Sequence, residues 1–226
     1  MSSIFQRAMG ADFERLHPQL ARRFSVGLVS GTACVATGVM SEIWHGSGLV
    51  RPFLHLGASR HILFPEQGHD VAFTMENWPY RDRAGRETVT FNRTFELPRR
   101  RRRFDATMVH DEASGRLVDY LGTHQHLSAD LTFGTDGAGG LVIRSSRQHF
   151  RMAWLNLAVP PLVTGDAEVH EWYDDSAEQF HIDVQVGNRW LGPLFGYRGT
   201  FTCQYFLLGT TPVPAVAKPV REEYRV

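Results

Sequence analysis

From Ser30 onward the chain is a succession of short runs that alternate apolar and polar residues, each closed by a cluster of turn residues. Glu87–Leu97 (ETVTFNRTFEL) is the clearest: Val89, Phe91 and Phe95 fall on one side, and Thr88, Thr90 and Thr94 on the other. A period of two belongs to a strand with one buried face. The clusters at 82–85, 111–115, 135–140 and 174–178 are rich in Asp, Gly and Ser, and each sits between two strand-like runs. That is the pattern of a hairpin. Counting runs between such clusters predicts about nine or ten strands in up-and-down order. A sheet of that width cannot leave long bare edges, because unpaired strands recruit other chains. The expected fold class is therefore mainly β: an antiparallel, up-and-down, calycin-like barrel, either closed or nearly so.

Three segments fall outside this pattern. Ile4, Phe5, Ala8, Met9, Phe13, Leu16, Leu20 and Phe24 recur near a period of 3.6, so residues 1–28 are expected to be helical. Pro18, which lacks a backbone donor, is expected to break or kink that helix near His17–Pro18, with a short second turn after it. Ala153–Val163 is apolar, does not alternate and contains Pro160-Pro161, which suits a short segment covering the barrel mouth. Residues 210–226 are Pro-rich and are expected to be extended or mobile. Nothing marks a domain boundary, so residues 1–226 are read as one domain.

Composition narrows the function classes. Apolar residues make up 42% and charged residues 21% of the 226, which excludes wholesale disorder. Lys+Arg and Asp+Glu both count 24, so the basic surplus of a nucleic-acid-binding protein is missing. Only Lys218 among the basic residues is a lysine, which reads either as coding bias or as a demand for arginine forks on anions. No apolar run approaches a membrane span, and the N-terminal residues lack the apolar core of a signal peptide. Two cysteines, Cys34 and Cys203, are too few for a disulfide scaffold. A cytoplasmic protein is the expectation, with no membrane or nucleic-acid partner.

Several long stretches resemble a bacterial family known as domain of unknown function 4166. They are RHILFPEQGHDV (60–71), RETVTFNRTFELPRRRRRFDATMV (86–109), VDYLGTHQHL (118–127), HEWYDD (170–175) and GPLFGYRGTF (192–201). The resemblance runs from Phe5 to about Tyr205. Similar domains occur fused behind nucleotide-binding dehydrogenase-like domains. The resemblance thus implies a possible dehydrogenase-like protein partner, and it carries over no catalytic residue.

The residues that could carry chemistry are few. His124 and His126, spaced i and i+2, would share a strand face and could meet one metal ion, with Asp130 nearby. Strict alternation instead puts them opposite the apolar face of Leu127, Ala129, Leu131 and Phe133, so no metal is expected there. Arg99–Arg103 could bind an acidic partner, but on a strand its members alternate between faces, and a solvated edge is the plainer reading. In the hairpin at 167–186, Glu171 and Tyr173 face inward if Val169 does. A buried Glu171 would serve as an acid or base, or it would pair with an inward arginine. Together with His124 and His126, these two form the candidate catalytic set. Tyr120, Trp172, Tyr197, Phe201 and Tyr205 are the candidate ligand contacts, with Gly122, Gly196 and Gly199 leaving room beside them. No cofactor is expected. Fifteen Phe residues on a barrel pattern point first to binding of a small hydrophobic molecule. The alternatives are a cofactor-independent isomerase, cyclase or hydrolase in the same pocket, and an interaction module for the dehydrogenase-like partner.

Overall fold

The computed structural model describes residues 2–152, 155–159 and 165–225. Its strands are β1 (Thr32–His45), β2 (Gly68–Asn77), β3 (Pro79–Arg81), β4 (Glu87–Leu97), β5 (Arg100–Asp111) and β6 (Arg116–Leu121), followed by β7 (Leu127–Thr135), β8 (Leu141–Met152), β9 (Leu155–Ala158), β10 (Asp166–Asp174), β11 (Gln179–Asn188) and β12 (Gly192–Leu207). Neighbours in space are almost always neighbours in sequence. The first and last strands then pair antiparallel, from Thr32↔Leu207 to His45↔Phe195. That pairing closes ten strands into the expected barrel. β3 lies beside β4, and β8 is shared: its first half pairs with β10 and its second with β9.

Closure requires β1 and β12 to press together. A Cβ on Gly38 would lie 2.0 Å from the Thr200 carbonyl oxygen, and one on Gly199 would lie 2.2 Å from that of Val39. The contact sits beside a bulge between Met40 and Glu42, a device that sharpens strand curvature. Gly196 is likewise filled by the Trp44 ring, and Gly122 by the Arg60 carbonyl. The expectation that Gly122, Gly196 and Gly199 make interior room is therefore corrected: they permit close approach and leave no space.

One end of the barrel is plugged by the N-terminal residues. Helix α1 (Ile4–Met9) begins with Ser3, whose hydroxyl accepts from the Gln6 N–H, while the Gln6 side chain accepts from the Ser3 N–H. The helix stops at Gly10, whose φ of 55° suits a residue without Cβ. After a 3₁₀ stretch, Pro18 opens helix α2 (Pro18–Phe24). A proline in the first turn loses no hydrogen bond, so the expected break near His17–Pro18 is followed by the second helical turn that Pro18 opens. Ile4, Phe5, Leu20 and Phe24 are buried, and Phe5 meets Phe24 and Phe91 edge-on at 5.2 and 5.8 Å.

A third helix, α3 (Arg51–Ala58), follows β1 at the opposite end and was not anticipated. Leu54 faces inward, and Phe53 and Leu56 are exposed on the rim. Of the expected cover at 153–163, residues 153–154 and 160–163 lie outside the described residues. Leu155–Ala158 form the edge strand β9. The C-terminal tail is fixed to the outer wall. Val220 N–H donates to the Thr123 carbonyl (2.8 Å), Glu223 N–H to Gln125 Oε1 (2.6 Å), and Asn92 Nδ2 to the Ala217 carbonyl (2.7 Å). Among the described residues, no helix is long and apolar enough to cross a membrane.

Candidate functional site

Inward side chains fill the barrel unevenly. Phe64, Phe73, Phe95, Phe195, Tyr197 and Phe201 pack solidly on the side of β1, β2, β4 and β12, with ring centroids mostly 5–6 Å apart. Smaller residues on β5–β8, β10 and β11 leave a cavity of about 540 Å³. Met108, Leu121, Leu131, Ile143, Ile182 and Val184 supply much of its wall, Phe24 and Glu171 lie at the plugged end, and α3 lies at the mouth.

Two arginines and two acids are buried in this apolar interior. Arg23 reaches up from α2: its Nε donates to Glu171 Oε1, and its Nη1 donates to Asn77 Oδ1 at 2.9 Å. The same Nη1 lies 3.7 Å from Cys34 Sγ and 3.8 Å from Cys203 Sγ. Cys203 and Arg23 hold the Cys34 thiol below its ordinary value, while Cys34 and burial push the Cys203 thiol up. Both cysteines are free. Arg93, on β4, lies over the rings of Phe91 (5.6 Å) and Phe104 (4.7 Å), with its Nε and Nη1 buried and unbonded. Asp119, inward on β6, has an unbonded Oδ1. Burial pushes its carboxyl up to about 7, with Arg93 pulling the other way.

A profile of the family described as a domain of unknown function (DUF4166) matches residues 16–201. The chain belongs to the DUF4166 family. A relative from Bacillus subtilis (strain 168), the uncharacterized protein YndH, is 37% identical over 201 residues, covering 89% of this chain and 97% of that protein. Arg23, Arg93, Asp119 and Glu171 all lie inside the matched DUF4166 region.

This DUF4166 barrel brings together only part of the expected site. Glu171 faces inward, but Arg23 occupies it, so the pairing alternative holds and a free acid–base group does not. His126 lines the cavity, with its Nδ1 at 3.0 Å from the Arg151 carbonyl oxygen. His124 stacks on it at 5.9 Å, with its Nδ1 beside Thr123 Oγ1. The two histidines do not share a strand face. They sit in the β6–β7 link, where Gln125 takes a φ of 51° and turns its side chain to the tail. Burial, with Arg60 and His126 nearby, lowers the His124 pKa. Among the described residues, no three His, Cys, Asp or Glu side chains form a metal-sized group.

Tyr173 lies beyond the cavity, stacked on His17 at 5.1 Å. It lines a separate groove with Tyr205, whose ring lies 4.2 Å from the Arg22 guanidinium. Tyr197 and Phe201 belong to the packed aromatic side. Phe201 stacks on Phe180 at 5.2 Å. Trp172 is on the outer face between His170 and His181 (4.7 and 5.0 Å), because Glu171 takes the inward position. Tyr120 is also outward, and its hydroxyl donates to the Arg225 carbonyl at 2.5 Å. The arginine run is divided up: Arg102 grips Glu66 through two bonds (2.6 and 2.7 Å), Arg101 pairs with Glu96, and Arg103 with Asp105. Sequence reading missed Arg93, Asp119 and Arg23. The signal for Arg93 was present, since it shares the alternation of Val89, Phe91 and Phe95.

Proposed function

We propose that the protein binds a small, largely apolar molecule inside the barrel. The observation that carries this reading is the cavity of about 540 Å³ between a solid aromatic side and a helical plug. Small-molecule sites typically occupy about 300–1,000 Å³ and combine an apolar wall with a few fixed polar groups. Here those groups are Arg93, Asp119, Glu171 and His126. Native mass spectrometry of the untagged protein, released from its host without organic solvent, tests the reading. A retained small molecule, or saturable uptake of an apolar dye competed by apolar compounds, supports it. Neither one in properly folded protein refutes it. A second reading, a cofactor-independent isomerase, cyclase or hydrolase, draws on Asp119, a cavity carboxyl that exchanges its proton near neutrality. Catalytic turnover abolished in Asp119→Asn would favour it over carriage.

A further inference from the structure

We propose that the cavity is built for an apolar-tailed monocarboxylate, whose anionic head is held by Arg93 with Asp119 beside it. The proposal rests on the binding reading and names the ligand class of the same site.

Arg93 enters the interior from β4, and only 7% of its surface is exposed. Its guanidinium lies over the rings of Phe91 and Phe104, so the fork is positioned before any ligand arrives. Yet Nε and Nη1 make no hydrogen bond. A buried cation with unbonded donors calls for an anion. Glu171 does not answer, because it is bound to Arg23. Asp119 is the remaining buried acid among the cavity-lining residues, and burial keeps it largely protonated below about 7. Over that range Arg23 is paired with Glu171, Asp119 is largely uncharged, and the Arg93 charge has no acid bonded at its Nε or Nη1.

A carboxylate fits this arrangement. Its two oxygens match the guanidinium fork, and a protonated Asp119 donates to one of them. A neutral head would leave the charge unbalanced. A phosphate would bring more charge and more acceptors than one arginine and one acid can satisfy. The wall beyond the head is apolar, which selects a hydrocarbon body over a short polar acid. Other titratable or charged groups lining the cavity are Glu171 from β10, His126 from the β6–β7 link and Arg60 after α3.

The test compares dodecanoate with dodecanol by calorimetry on the full chain, at about pH 6 and about pH 8.5, values that bracket the Asp119 transition. The expected result is a preference for dodecanoate of roughly tenfold or more at the lower pH, the size of one charge-assisted contact. The preference shrinks at the higher pH, where an ionised Asp119 opposes the carboxylate. In Arg93→Met the ratio collapses toward one. In Asp119→Asn the pH dependence of the ratio flattens, which a purely structural role for Asp119 would not produce. Equal binding of the two probes by the parent protein, or an unchanged ratio in folded Arg93→Met, overturns the proposal while the binding reading stands. Binding of neither probe removes both.

Discussion

Arg23 and Glu171 meet across 148 positions of sequence, with side chains only 1% and 3% exposed. Removing one partner strands a buried charge, at a cost of about 3–5 kcal/mol. Glu171→Gln should therefore lower the urea midpoint strongly, and adding Arg23→Met should recover much of the loss. A milder double variant than single is the required outcome, and simple additivity would refute the pairing. The contribution of Asp119 to stability depends on pH. Its folded pKa of about 7 lies above the ordinary 3.8, so the native state holds the extra proton between those values. Its contribution is fully favourable below about 3.8 and is lost as pH rises through about 7. Asp119→Asn should thus gain melting temperature over the parent as pH goes from about 5 to about 8, and a constant gap would contradict it. Arg93 was legible as an inward residue of a strict alternation. Its lack of a partner was not, because that depends on which acids the other strands turn inward.

At the scale of elements, the tail is the clearest case of order decided at a distance. Read alone, its prolines suggest an extended or mobile strand. In the structure Glu223 is fully buried and bonded by Arg221 and Arg225 at 2.6 and 2.7 Å. Burial alone would raise its pKa, but those two arginines hold the carboxyl down at about 2, against an ordinary 4.5. A depressed folded pKa stabilises above about 4.5 and is lost as pH falls toward 2. Glu223→Gln should cost about 2 kcal/mol near neutrality, the scale of hydrogen bonds to a charged group. It should also speed proteolysis of the tail, and the difference from the parent should vanish toward pH 2. Equal proteolysis at pH 7 would refute the anchoring role. Tyr120, expected among the ligand contacts, instead points outward, and its buried ring lies under the tail, where its hydroxyl donates to the Arg225 carbonyl. Helix α3 escaped notice because it is short and half exposed, so its apolar residues form no long stripe.

At the scale of the whole molecule, the barrel is half solid and half open, and substitutions should report which half they enter. Ala129 is a buried residue on the cavity wall. Ala129→Leu should cost less than the roughly 1–3 kcal/mol of ordinary overpacking, while reducing apolar dye uptake. Gly199→Ala should cost more than Ala129→Leu despite the smaller change, because its Cβ would meet the Val39 carbonyl oxygen at 2.2 Å. Chemical denaturation of both variants checks this, and the reverse order of stabilities would mean that the cavity is filled.

What the sequence by itself determined is the list of strands and their order. Alternation and turn chemistry are local, and a chain of hairpins has essentially one way to remove its edges, by pairing the first strand with the last. The faces of β4 and the inward position of Glu171 follow from the same period of two. Tertiary structure decided everything that depends on several strands at once: that Arg23 meets Glu171, that Gly199 marks crowding, that the aromatic residues fill one side of the barrel, and that Arg93 and Asp119 face the open side. Those are questions of which side chains share a volume, and residues from separate strands share it only once the barrel has closed.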